Sequence, residues 1–98
     1  PLWSRGLGDV YKRQILFYAN GDRYEGDFID GKAQGRGTRT YASGGRYEGE
    51  WSEDLPNGFG TRYTLDGLTY SGSWQRGCFR EGSRWATIGT TAERCGYR

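Results

Sequence analysis

Aromatic or glycine residues alternate with charged residues in two short stretches of this chain. Residues 23–28 read Arg-Tyr-Glu-Gly-Asp-Phe, and residues 46–51 read Arg-Tyr-Glu-Gly-Glu-Trp. A third stretch, residues 69–74, keeps the alternation but has serines at the acidic positions. A period of two is typical of a β-strand with one buried and one solvated face. The pattern therefore predicts three equivalent strands, each with its aromatic residues on one face.

A second kind of segment follows the first in each unit. Residues 36–41 are rich in threonine and end in an aromatic residue, a composition typical of strands. Glycine-bearing segments, residues 30–35 and 42–45, separate the strands and predict turns. The chain is therefore expected to form successive β-hairpins. Beyond them we predict a polar turn over residues 75–83, one last strand over residues 84–89 and a short polar tail.

The hairpin unit repeats every 23 residues. Aligning residues 18–40 with residues 41–63 without a gap gives 11 identities in 23 positions. The next copy keeps only Gly67, Tyr70, Gly72 and Trp74 before it loses phase. Regular self-similarity at this period indicates a stacked array, and an atypical last copy is typical of a cap.

Glycines recur in register with the aromatic residues. Gly26, Gly49 and Gly72 fall in the middle of predicted strands, where glycine is normally unfavourable. Their repetition predicts that an aromatic ring lies over each bare backbone position. A further set of repeated glycines is assigned to the hairpins rather than to a phosphate-binding loop, because no helix or Lys-Ser/Thr pair follows them: Gly35, Gly37, Gly58 and Gly60.

The motif Tyr-Glu-Gly-(Asp/Glu)-(Phe/Trp), followed by Gly-x-Gly-Thr and a glycine-containing turn, resembles the MORN repeat (membrane occupation and recognition nexus). The resemblance covers about residues 15–74. It implies an all-β fold, a single-layer twisted antiparallel sheet of tandem hairpins with about seven short strands. Residues 54–57 depart from the pattern, and so do Ser71 and Ser73. The C-terminal end more weakly resembles those of bacterial proteins with this repeat.

The resemblance and the periodicity divide the chain into three parts. Residues 15–74 are the repeat array, with a partial unit at 15–22 and units that start at residues 23, 46 and 69. Residues 75–98 are expected to be a C-terminal cap that blocks the sheet edge. Residues 4–14 resemble a translated sequencing adapter, so we expect residues 1–14 to be non-native; the alternative is a natural irregular segment.

Charge and composition exclude several functions. Residues 1–14 hold three of the 14 basic residues and one of the 12 acidic residues, so the remainder carries 11 of each. A neutral domain has no basic stripe for nucleic acid. The chain has no histidine, the commonest general base, and no run of 18 apolar residues that would predict a membrane span. We expect no cofactor and no small-molecule substrate.

Two cysteines, Cys78 and Cys95, lie 17 residues apart. This spacing permits a disulfide, but two structural thiols, one reactive thiol or half of a metal site are alternatives. A metal site is the least favoured because soft ligands are too few. A disulfide would place the protein in the periplasm or outside the cell. Free thiols would place it in the cytoplasm or at a membrane surface.

The acidic residues Glu25, Asp27, Glu48 and Glu50 recur in register. Acid–base catalysis needs two carboxylates in unlike environments, whereas a repeat places them in equivalent ones. We therefore interpret them as a solvated face paired with arginines of the same and neighbouring strands, Arg23, Arg46, Arg39 and Arg62. No enzymatic activity is expected.

One face of the sheet is expected to carry an aromatic strip, part of which a single-layer sheet leaves open. Aromatic residues dominate binding hot spots, so the strip is the candidate contact surface for a protein partner. The alternative is that the face is covered by its own side chains. Rival functions are binding to acidic phospholipid and service as the accessory domain of an enzyme encoded upstream. The strip comprises Tyr24, Phe28, Tyr47, Trp51, Tyr70 and Trp74.

Overall fold

The computed structural model describes residues 13–97, which form one antiparallel sheet of eight strands and a short helix. The strands follow one another in the sheet in chain order, so every connection is a hairpin. The all-β prediction is confirmed, with one strand more than the seven expected. The elements are β1 (Arg13–Phe17), β2 (Arg23–Ile29), β3 (Lys32–Thr40), β4 (Arg46–Ser52), β5 (Leu55–Tyr63), β6 (Thr69–Gln75), β7 (Cys78–Glu81), β8 (Arg84–Thr87) and α1 (Ala92–Cys95).

Strand β1 begins inside the segment that the sequence predicts to be non-native. Arg13 pairs with Asp27 and Gln14 pairs with Gly26, so both residues belong to the sheet. The rest of that segment, residues 1–12, lies outside the described part of the chain.

A row of glycines crosses the middle of the sheet. In the register of β2 to β6, Gly26 pairs with Gly37, Gly37 with Gly49, Gly49 with Gly60 and Gly60 with Gly72. The pairing shifts by two residues between Gly26 and Phe28 and again between Gly49 and Trp51, because β3 and β5 each carry two extra residues there. Such β-bulges increase the local twist of a sheet. The 23-residue period is thus also the period of the sheet geometry.

Two-residue turns join the strands within each hairpin. Asp30 and Gly31 connect β2 to β3 with φ angles of 53° and 80°, and Glu53 and Asp54 connect β4 to β5 with 53° and 70°. Two successive positive φ angles define the type I′ turn, whose twist matches that of the strands. The loop predicted for residues 30–35 is therefore wrong, because β3 already starts at Lys32.

The turn prediction for residues 75–83 is also wrong. Arg76 and Gly77 turn, with φ angles of 50° and 83°, and Gly82 and Ser83 turn again, but Cys78–Glu81 between them forms β7. The amide of Gly77 donates to the carbonyl of Pro56, as the amide of Asp54 donates to that of Ala33 in the preceding hairpin. The turn geometry of the repeat thus continues beyond the point where its sequence pattern decays.

The core lies on one face of the sheet and consists of interlocked rings. Tyr24 and Tyr47 each meet Trp51 edge to face, with ring centroids 5.5 and 5.2 Å apart, and Tyr47 meets Trp74 at 5.3 Å. Edge-to-face contact is a favourable arrangement for aromatic pairs. The array is elongated, with dimensions of 46 × 22 × 19 Å. We call this the aromatic face, and the opposite side of the sheet the open face.

Candidate interaction surface

The aromatic strip predicted to bind a partner is mostly inaccessible. Tyr24, Tyr47, Trp51 and Trp74 expose at most 4% of their surface, and Phe28 and Tyr70 are half-buried. The rings pack on one another and on glycines. This agrees with the alternative interpretation of the sequence, in which the face is covered by its own side chains. The four buried rings cannot meet a partner in this conformation, so an interaction surface has to be built from other side chains.

The polar atoms of these rings are satisfied inside the sheet. The hydroxyl of Tyr24 donates to the carbonyl of Asp27 at 2.7 Å, and the indole nitrogen of Trp51 donates to the carbonyl of Gly37 at 3.0 Å. Trp74 repeats the second bond with Gly60 at 3.2 Å. Because a buried polar group without a partner costs free energy, these bonds allow the rings to be buried completely.

The prediction that a ring lies over each mid-strand glycine holds at Gly72, where the ring of Phe79 is 3.2 Å from an added Cβ, but the tyrosine rings rest mainly on other glycines. A Cβ on Gly37 or on Gly60 would collide with the hydroxyl of Tyr24 or of Tyr47. A Cβ on Gly26 would collide first with the backbone of Gly37. Thus the second strand of each hairpin supplies the bare backbone on which the tyrosine rests, and Gly26 allows the two strands to approach.

Arg39 and Arg62 were predicted to pair with the repeated carboxylates, and this is wrong. Both lie on the aromatic face because they pair with Tyr24 and Tyr47 in register. Arg39 binds the buried carboxylate of Asp22 at 2.8 Å and stacks over the ring of Tyr18 at 4.0 Å. Burial would raise the pKa of Asp22, but hydrogen bonds from the Ala42 amide and from Arg39 outweigh it and lower that pKa.

The repeated carboxylates lie on the open face, where Arg23 and Arg46 are partners as predicted. Glu25 and Glu48 pair with the arginine two residues before each of them, at 3.1 and 2.8 Å. Asp27 accepts a hydrogen bond from the Arg36 amide at 3.1 Å, and Glu50 accepts the equivalent one from Phe59 at 3.4 Å. Equivalent carboxylates therefore have equivalent surroundings, which does not support an acid–base pair.

The same open face carries uncovered apolar side chains. Ile15 is 53% exposed and Phe17 is 77% exposed on β1, and Phe59 is 69% exposed on β5. Phe59 pairs with Ser73 and borders a depression of about 520 Å³ between β3 and β6. Phe59 has a signal in the sequence that was not used: it is one residue from Gly60, which places it on the strand face opposite the buried rings.

A deeper groove of about 970 Å³ lies at the C-terminal end of the open face. The segment after β8 crosses this end, and a disulfide between Cys78 and Cys95, with Cα atoms 5.7 Å apart, ties it to β7. The disulfide settles the alternatives for the cysteines. Three arginines line the groove: Arg76 in the turn before β7, Arg80 on β7 and Arg94 on α1.

Other site chemistries find no support in residues 13–97. No group of three or more histidine, cysteine, aspartate or glutamate side chains there could hold a metal ion. No helix within that range is long and apolar enough to cross a membrane.

Comparison with known proteins agrees with the geometry. The family model for the MORN repeat matches residues 24–46 and 47–69, two units of 23 residues that coincide with the first two complete hairpins after β1. No curated protein matches the chain. MORN repeats are a non-catalytic repeat type and commonly serve in protein or membrane interaction. With two such units in tandem and a sheet built from them, this chain contains two MORN repeats.

Proposed function

We propose that this protein is a non-catalytic interaction module that binds a protein partner through its open face. The observation that carries the proposal is the exposure of Phe59, at 69%, in the interior of an eight-stranded sheet. A sheet face without a second layer above it is accessible along its length. Exposed aromatic residues surrounded by polar groups are typical of protein contact sites.

The surroundings of Phe59 favour a protein over a lipid bilayer. Arg36 lies 3.7 Å from Glu50, and the arginines of β2 and β4, Arg23 and Arg46, pair with Glu25 and Glu48. These pairs neutralise the part of the open face around Phe59, whereas attraction to acidic phospholipid grows with each unpaired basic residue, by about 1 kcal/mol. Paired charges around an aromatic residue instead resemble the rim and centre of a protein interface.

Site-specific photo-crosslinking tests the proposal. A photoreactive phenylalanine analogue replaces Phe59 in one variant and Leu65, in the turn between β5 and β6, in a control variant. Leu65 is 79% exposed, so both probes are equally accessible. In the native host we expect one defined protein adduct from position 59 and none from position 65. Equal adducts from both positions, or none from position 59, would contradict the proposal.

Co-sedimentation with vesicles distinguishes membrane binding from protein binding. We expect the protein to remain in the supernatant with phosphatidylserine vesicles at low and at high salt. Sedimentation at low salt that Phe59→Ser abolishes would assign the open face to membrane binding instead.

A further inference from the structure

We propose that the groove at the C-terminal end of the open face binds an acidic segment of a polypeptide. The proposal deepens the protein-binding function and rests on it, because it names the chemistry of one part of the partner. The groove is formed by three parts of the chain that lie far apart in sequence: Asn57 on β5, Ser73 and Gln75 on β6, and the residues from Gly89 to Tyr97.

Positively charged side chains without an ion-pair partner are concentrated in this groove. Residues 13–97 contain 11 arginines and lysines. Seven of them form an ion pair with a carboxylate of the same range. Four do not, and three of these four, Arg76, Arg80 and Arg94, line this one groove. The described lining contains no acidic residue. The groove is therefore a local excess of positive charge on an otherwise neutral domain.

The chain segments that carry the three arginines are held in place, and so is the side chain of Arg80. The backbone amide of Arg76 donates to the side chain of Asn57 at 2.9 Å, which anchors the turn before β7. Arg80 donates from Nε to the carbonyl of Gly82 at 3.0 Å and stacks near Tyr97 at 5.7 Å. Arg94 is adjacent to Cys95, whose disulfide to Cys78 joins α1 to β7. The guanidinium of Arg80 therefore loses little entropy when it binds a carboxylate, whereas for Arg76 and Arg94 it is the backbone that is held beside the groove.

The volume and the lining of the groove fit a peptide. A volume of about 970 Å³ exceeds what a single carboxylate needs and fits several side chains. Leu55 and Tyr97 supply apolar surface beside the arginines, which suits a peptide with mixed side chains. Membrane recognition uses clusters of about four to eight basic residues. Three arginines in a recess do not form such a cluster, so a peptide is favoured over a bilayer.

A fluorescent octapeptide of alternating aspartate and glutamate tests this, with the asparagine–glutamine octapeptide of the same length as its uncharged counterpart. The full chain, oxidised, is titrated with each peptide at low and high salt. We expect binding of the acidic peptide that weakens with salt, and no binding of the amide peptide. Each of Arg76→Gln, Arg80→Gln and Arg94→Gln should weaken binding about tenfold, as loss of a charged hydrogen bond does.

Arg23→Gln and Arg46→Gln are the matched controls, because they remove the same charge at the other end of the open face. They should leave the affinity within about twofold. Amide resonances of Gln75, Arg76 and Thr90 should shift on titration, which locates the peptide in the groove. Equal losses in the groove variants and the controls, or shifts elsewhere on the sheet, would overturn the proposal. So would binding of phosphatidylserine vesicles, but not of the peptide, through the same arginines.

The experiments can overturn the contact site around Phe59 and the peptide-binding groove independently of each other. If the crosslink from position 59 persists while the acidic peptide does not bind, only the groove assignment is overturned. If the peptide binds the groove while position 59 gives no adduct, the open face around Phe59 is not a contact site.

Discussion

The ring of Tyr24 occupies the space that a side chain at Gly37 would fill. Tyr24 stands on β2 and Gly37 on β3, and the contact recurs one period later between Tyr47 and Gly60. Each tyrosine also donates to a carbonyl three residues along its own strand. In each repeat, an aromatic ring therefore packs against the backbone of the neighbouring strand.

Gly37→Ala should therefore be strongly destabilising. Gly37 has an extended backbone, so alanine adds no backbone strain and its whole cost comes from collision with Tyr24. We expect a loss of about 1–3 kcal/mol in the free energy of unfolding, as for other overpacked cores. Urea denaturation measures it. A double-mutant cycle with Tyr24→Leu is the control: the cost of Gly37→Ala should fall markedly in that background. An unchanged cost would show that the ring is not the obstacle.

Trp51→Phe should lower the free energy of unfolding by more than the smaller buried area of the ring accounts for. The substitution removes the donor to the carbonyl of Gly37 and leaves that buried acceptor without its partner. We expect a loss of about 1–3 kcal/mol. Trp85→Phe is the matched control, because Trp85 is 37% exposed, and it should cost less than about 0.5 kcal/mol. Equal changes in midpoint for the two variants in thermal denaturation would contradict the expected role of the hydrogen bond.

Asp22→Asn should destabilise the protein at neutral pH and make its stability less dependent on pH. The side chain of Asp22 is 8% exposed and that of its partner Arg39 is 21% exposed, so the pair is poorly screened by water. Loss of its charge-assisted bonds should cost about 1.5–3 kcal/mol. Glu25→Gln, in an exposed pair, should cost less than about 1 kcal/mol.

The pH dependence follows from the lowered pKa of Asp22 in the folded state. The unfolded chain takes up the proton first, so the contribution of Asp22 is complete above the unfolded pKa of about 4. It is lost as the pH falls through the folded value. Thermal midpoints of the wild type and Asp22→Asn should therefore converge in acid. Parallel curves down to the lowest pH would contradict this assignment.

Reduction of the disulfide should loosen the C-terminal end while leaving β2 to β5 intact. The bond closes a loop across 17 residues, which the chain-entropy estimate values at about 3 kcal/mol. Hydrogen exchange with and without reductant should show faster exchange in β8 and α1. Protection in β3 should not change. Mass spectrometry of protein isolated from its host should find no alkylated thiol before reduction, and two freely alkylated thiols would contradict the bond.

The sequence alone determined the strands of the repeat array, their hairpin order and four of the core rings, Tyr24, Tyr47, Trp51 and Trp74. These features depend on contacts within one unit of 23 residues, and each unit repeats the same local signals. Period-two alternation in residues 23–28 is enough to place Tyr24 and Glu25 on opposite faces. The sequence also indicated the repeat family. The Tyr-Glu-Gly pattern is specific because the tyrosine ring has to pack on backbone that carries no side chain.

Tertiary structure alone decided which glycine lies under each ring, where β7 begins and which surface is available to a partner. Arg76 and Cys78 show no period, because the repeat pattern has decayed there, yet the turn geometry continues through hydrogen bonds to β5. The arginine groove joins residues from 57 to 97, and no local pattern records that they meet. A pattern read along the chain reports only near neighbours, whereas this groove depends on the sheet register and on the disulfide that folds the C-terminal segment back over it.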